Sequence, residues 1–141
     1  MNKNIVKSYI NLFCNLTPDN INEFDNLISK DIIFVDPFNN IKGVNAFKKV
    51  FYHMFEKVSD PKFLILDYSI SKKRVYIKWK MNFIAFKSLQ TIEGISEILL
   101  NDVGKIVSHI DYWDSINGLF IKIPFIGAFY KLSLFMFKVK T

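Results

Sequence analysis

At 141 residues and 16.6 kDa, the chain has the length of one compact domain, since most run about 100 to 150 residues. Half its residues are apolar and fifteen are Phe, which excludes intrinsic disorder for the bulk of it, and the single Cys14 excludes an internal disulfide and multi-cysteine metal sites. The net charge of +6 is spread over lysines with one arginine, Arg74, and not laid out as a basic stripe with aromatic platforms, so nucleic acid is not an expected partner.

Lys7, Ser8 and Asn11 interrupt the apolar residues near the N-terminus, so no signal-peptide core is expected and the protein reads as cytoplasmic. Ile5, Tyr9, Leu12, Phe13 and Leu16 recur at helical spacing and predict a first helix, with Cys14 packed on its inner side. Thr17-Pro18 predicts the start of a second helix, Thr17 as its cap, with Ile21, Phe24, Leu27 and Ile28 as its buried stripe. Ile32 to Val35 is a short β-branched strand ended by Asp36-Pro37 and a polar Asn39-Asn40 turn. Beyond Gly43, the residues Ala46, Phe47, Val50, Phe51, Met54, Phe55 and Val58 draw the apolar stripe of a third helix.

From Pro61 the period changes from 3.6 to 2. Phe63 to Ile70 forms one strand and Lys72-Lys73 its turn. Val75, Ile77, Trp79, Met81 and Phe83 then face one way, while Arg74, Tyr76, Lys78, Lys80 and Asn82 face the other. Ile92 to Leu100 belongs to a further long strand, on which Glu93 and Glu97 share the outer face. Asn101 to Gly104 turns the chain, and Lys105 to Trp113 is the last strand. Helices grouped ahead of antiparallel strands imply an α+β fold with the helices on one face of a curved sheet.

Two stretches carry a family resemblance: Phe34-Val35-Asp36-Pro37 with Gly43 and Ala46-Phe47, and Gly104-Lys105-Ile106 leading into His109-Ile110-Asp111-Tyr112-Trp113-Asp114. In this order and spacing the chain resembles the nuclear transport factor 2-like superfamily, which includes ketosteroid isomerases, SnoaL-type polyketide cyclases and limonene epoxide hydrolases. The resemblance implies a cone-shaped domain over residues 1–114, three helices on a strongly curved antiparallel sheet, and a deep apolar pocket at the open end. It also implies a homodimer paired through the outer sheet face.

Within that resemblance Asp36 looks like the catalytic base of the isomerases, a carboxylate made basic by an apolar pocket. The other reading of Asp36 is an Asx turn with the amides of Phe38 or Asn39. Tyr9 lies where those enzymes carry a tyrosine that donates to an enolate oxygen; otherwise it is an aromatic of the helix stripe with its hydroxyl at the surface. Their third group, a protonated aspartate, falls at Ser96, a weaker donor. Asp111 looks like the first aspartate of the hydrolases' Arg-Asp-Tyr-Phe-Asp stretch, which activates water, with a salt bridge or strand-end hydrogen bond as its structural alternative. Where those hydrolases place an Arg-x-Asp pair, this chain has Lys78-Trp79-Lys80. His109, Asp111 and Trp113 share one strand face, and His109 there is either a proton shuttle or structural.

Phe34, Trp79, Ser96 and Trp113 are the expected ligand-binding residues, and His53 is left outside the site with the polar side of its helix. No metal spacing or phosphate loop is present in the sequence, and no cofactor is expected. The ligand expected is an apolar, neutral small molecule. Either an isomerase, cyclase or hydratase uses Asp36 as base with Asp111 assisting, or a non-catalytic binder of a lipid or hydrophobic metabolite uses the same pocket.

Residues 115–141 read as an extension. Four lysines and no acid lie between Ser115 and Thr141, and Phe125 to Val139 is apolar almost all round yet too short and charged to span a bilayer. Three burials are open to such a helix: over the pocket mouth, in a dimer interface, or in a membrane surface with its lysines reaching head groups. Docking on the protein's own surface or its partner is the favoured expectation.

Overall fold

The computed structural model describes residues 3–123 and 125–133. Helix α1 (Lys3–Cys14) is followed by a 3-10 turn (Ile21–Asn26), strand β1 (Ile28–Val35), the short β2 (Asn40–Lys42) and helix α2 (Val44–Lys57). Four strands then run in succession: β3 (Ser59–Ser71), β4 (Arg74–Ala85), β5 (Ser88–Leu100) and β6 (Ile106–Trp113). The extension holds α3 (Ser115–Gly118), a 3-10 turn (Phe120–Lys122) and α4 (Ile126–Ser133).

The strands form one six-stranded open sheet in the order β2-β1-β6-β5-β4-β3. The α+β expectation holds, and the run β3 to β6 is antiparallel throughout. The sheet as a whole is mixed, because β1 lies parallel to β6, pairing Phe34 with His109 and Val35 with Ile110. Strand β6 is thereby central, with β5 on one side and β1 on the other. The alternation read for β4 is met in full: Val75, Ile77, Trp79, Met81 and Phe83 are all buried. Its outer face carries ion pairs from Lys80 to Glu93 at 3.0 Å and from Arg74 to Glu97, matching the shared face of the two glutamates.

Three local expectations are corrected. The second helix is only a 3-10 turn, since Thr17 does not cap it; instead Thr17 N–H donates to Asn20 Oδ1 at 2.8 Å while Asn20 Nδ2 donates to the Asn15 carbonyl. That clasp tightens the chain, the three-residue spacing of Ile21 and Phe24 suits a 3-10 turn, and Ile28 already belongs to β1. Cys14 is exposed, one position past the buried Phe13 and therefore swung about 100° off the inner face. Asn40 is not a turn residue but opens β2, opposite Val35.

Helices α1 and α2 pack over the concave face of the sheet, where Phe13, Phe24, Phe34, Phe47 and Phe51 meet largely edge-on at centroid separations of 5.0–6.1 Å. The extension is tied back to the sheet by Lys122 Nζ, which donates to Gln90 Oε1 on β5. Asp114 caps α3 by accepting from Ile116 and Asn117 amides. The expected apolar helix is present as α4 up to Ser133; its remainder, Leu134 to Val139, lies outside the described residues.

Candidate active site

The inward side chains of β4, β5 and β6 and the facing sides of α1 and α2 enclose a cavity of about 250 Å³. Its lining is mostly apolar and aromatic, including Phe34, Phe51, Phe63, Ile77, Trp79 and Trp113, and its polar groups are few: Tyr9, Asp36, Asn39, His53, Ser96, His109 and Asp111. All eight expected site residues therefore border one space. The alternation of β6 accounts for three of them, because His109, Asp111 and Trp113 all point inward.

Five side chains form one connected chain of hydrogen bonds. Tyr9 Oη lies 2.6 Å from His109 Nδ1, and His109 Nε2 lies 2.8 Å from Asp111 Oδ1. Ser96 Oγ donates to the same Asp111 oxygen and accepts from Trp79 Nε1 at 2.8 Å. An ionised Asp111 accepts only, so His109 carries its proton on Nε2 and its Nδ1 lone pair takes the Tyr9 hydroxyl. Tyr9 is buried to 1% exposure, so its hydroxyl is inside and not at the surface. Burial, reinforced by the nearby Asp111 charge, pushes the Tyr9 hydroxyl well above the usual phenol value, which keeps it a neutral donor.

Aromatic rings hold the imidazole of His109 from several sides, with centroids at 5.2 Å for Phe34, 5.7 Å for Phe13 and 5.8 Å for Tyr9. Asp111 is the more open end of the network, its side chain 16% exposed against 5% for His109. Its Oδ1 is engaged by Ser96 and His109, whereas its Oδ2 receives no hydrogen bond among the described residues. One carboxylate oxygen is thus anchored, and the residue itself borders the cavity.

Asp36 is arranged differently. Its Oδ1 accepts from the amides of Phe38 at 2.7 Å and Asn39 at 2.6 Å, and Asn39 Nδ2 reaches both carboxylate oxygens at 3.0 Å. The Asx-turn reading describes this geometry, while the residue still borders the cavity. Phe38, held out by that turn, meets Trp113 and Phe120 edge-on at 5.3 and 5.8 Å, and Phe38, Trp113 and Leu119 edge the cavity.

Two features were missed by sequence reasoning. His53 borders the cavity although its outer side pairs with Glu56 at 3.8 Å, since a residue on the flank of a wide helix stripe reaches both ways. Gly94 stands opposite Trp79 in the β4–β5 register, and a Cβ there would lie 2.5 Å from the indole and 2.9 Å from the Tyr112 carbonyl. The missing side chain lets the indole lie across β5 toward Ser96; a glycine in mid-strand was the available signal.

Among the described residues no group of three His, Cys, Asp or Glu side chains converges for a metal, and no helix is long and apolar enough to cross a membrane.

Residues 7–109 match the family model described as a SnoaL-like domain. Among solved structures, an NTF2-like protein of unknown function from Exiguobacterium sp. 255-15 superposes with a TM-score of 0.67 at 23% identity, covering 78% of this chain and 98% of that one. An LEH-like epoxide hydrolase of M. tuberculosis gives 0.65 at 16% identity over 94% and 92% of the two chains. A putative SnoaL-like polyketide cyclase from Jannaschia sp. CCS1 gives 0.66 at 8% identity over 80% and 87%. At these identities the structures share the fold. A search of curated proteins finds no match.

Proposed function

The chain belongs to the SnoaL-like domain family, and on that premise we propose that it is an acid–base catalyst acting on a compact, neutral, apolar carbonyl compound. The observation that carries this reading is the Tyr9–His109–Asp111 network, set in an apolar cavity with one Asp111 oxygen unbonded. At about 250 Å³ the cavity is slightly below the range of roughly 300–1,000 Å³ usual for ligand sites, so the substrate is small. Cytoplasmic residence belongs to the same proposal.

In the proposed step, Asp111 Oδ2 removes a proton from the carbon next to the substrate carbonyl. The C–H bond breaks, an O–H bond forms on Asp111, and the electron pair moves to the carbonyl oxygen. Neutral His109 keeps donating to Asp111 Oδ1 through Nε2, while the Tyr9 O–H turns about its C–O bond from His109 Nδ1 to donate to the developing enolate oxygen. Where the enolate is conjugated with a double bond, return of the Asp111 proton at the far carbon isomerises the substrate; attack of the enolate carbon on a second carbonyl closes a ring, the C=O π pair moving to its oxygen, which takes the proton from Asp111. This exchanges the roles expected for the two carboxylates: Asp111 is the base, and Asp36 shapes the mouth through Phe38.

The test is hydrogen–deuterium exchange at the α-carbon of monocyclic and bicyclic ketones in heavy water, followed by NMR. Exchange faster than in buffer, reduced about 10²–10⁴-fold in Asp111→Asn and much less in Asp36→Asn, is the expected result. The mostly apolar lining favours a second reading, a non-catalytic binder of a lipid or hydrophobic metabolite. Ketones that bind with no acceleration of exchange would establish that reading instead.

A further inference from the structure

Among the described residues that follow Trp113, Leu119 alone borders the cavity. It sits where α3 ends and the next 3-10 turn begins, and both its backbone groups are engaged. Its N–H donates to the Ser115 carbonyl at 3.1 Å, and its carbonyl accepts from the Lys122 N–H at 3.2 Å. The side chain is half-buried and packs against the core.

The segment that carries Leu119 is held against the sheet along its length. At its start, Asp114 accepts the Ile116 and Asn117 amides at 3.1 and 3.0 Å through Oδ1, and the Asn117 side-chain amide through Oδ2. In its middle, Gly118 lies so close to the sheet that a Cβ would stand 2.9 Å from Ile92 Cγ2 and 3.7 Å from the Trp113 ring; both of those side chains border the cavity. At its end, Lys122 Nζ donates to Oε1 of Gln90, a buried side chain whose Nε2 donates to Ser88 Oγ at 2.6 Å. A segment fixed at both ends and in the middle is a built wall and not a loose flap. It also lies beyond residues 7–109, the part of the chain that matches the family model.

We infer that Leu119 is a specificity residue, whose branched side chain sets the size of the ligand the cavity accepts. The inference rests on the cavity being the site of a compact apolar ketone, and not on the catalytic step proposed for it. In a chamber of about 250 Å³, the end of one leucine is a sizeable share of the room. Phe34, Phe51 and Trp79 line the same chamber but belong to the buried core, so packing fixes their size. Leu119 is carried on a segment appended to the sheet and is free of that constraint. Apolar pockets discriminate by about 10–200-fold per methylene gained or lost, so one such side chain suffices to choose between ring sizes.

The test is isothermal titration calorimetry of the full chain with cyclohexanone and with 2-decalone, read as the ratio of the two dissociation constants. Any loss of folded protein scales both constants alike and leaves the ratio unchanged. Leu119→Ala removes the isopropyl end and is expected to shift the ratio about ten-fold toward 2-decalone; Leu119→Trp is expected to shift it about ten-fold toward cyclohexanone. Ile116→Ala, on the same helix but outside the cavity lining, is expected to leave it unmoved. A ratio unmoved by both Leu119 variants, with both ketones still bound, would overturn the inference and leave the ketone site standing. A shift in Ile116→Ala equal to that in Leu119→Ala would overturn it too, because loosening of the segment would then set the size. Binding of neither ketone by the wild type would refute the ketone site and the inference with it.

Discussion

Tyr9 contributes to the fold through the same hydrogen bond that places it in the site. Its neutral form is favoured by burial and by the Asp111 charge, so its ionisation in the folded protein lies above the ordinary value of 10.0. The sign follows from proton counting. Below about pH 10 the phenol is protonated in both states and its contribution is complete; above it the unfolded chain releases the proton first, and stability falls as pH rises. Tyr9→Phe leaves His109 Nδ1 without its donor, which is expected to cost about 1–3 kcal/mol at neutral pH. Urea titrations at several pH values should show the gap between wild type and Tyr9→Phe narrowing above about pH 10; a gap independent of pH would place the hydroxyl in contact with solvent.

Strands β4 and β5 show how far the elements were legible in the sequence. Alternation identified the buried face of β4 residue by residue, because a half-solvated strand writes its orientation into a period of two. The parallel seam between β1 and β6 could not be read that way: pairing partners distant in sequence leave no local pattern, and Ile28, taken as the end of a helix stripe, is β-branched and fits either element. In the site, the shared face of His109, Asp111 and Trp113 was readable from spacing, while the Tyr9–His109 contact was not, since it joins residues 100 positions apart. Gly94 belongs to the same class of hidden features, its meaning residing in the Trp79 indole on the next strand. Gly94→Ala is expected to destabilise the protein by about 1–3 kcal/mol through overpacking and to shift indole fluorescence as the Trp79 bond to Ser96 is strained. A melting temperature and spectrum unchanged by the substitution would mean that the ring has room the register does not suggest.

At the scale of the molecule, the outer face of the sheet is a large apolar surface. The strand registers put Leu64, Tyr76, Ile84, Leu89, Ile95 and Tyr112 on it, all exposed, interspersed with the Lys80–Glu93 and Arg74–Glu97 pairs. We expect this face to be covered by a second copy in a two-fold dimer. Sedimentation at micromolar concentration should show a species of twice 16.6 kDa that Ile95→Lys with Tyr112→Lys converts to the single chain; a wild type found only as the single chain would refute the pairing. The parallel seam has a separate consequence for how the protein is made. Strand β6 lies between β5 and β1 and brings His109 to Tyr9, so the long-range closure that completes the site needs nearly the whole domain. During synthesis the N-terminal segments emerge first, and the Tyr9 hydroxyl must wait for β6 to supply its His109 partner. A ribosome-bound chain stalled before Ile106 has cleared the exit tunnel therefore lacks the strand that joins β1 to β5, and the Tyr9–His109–Asp111 network is among the last things translation delivers.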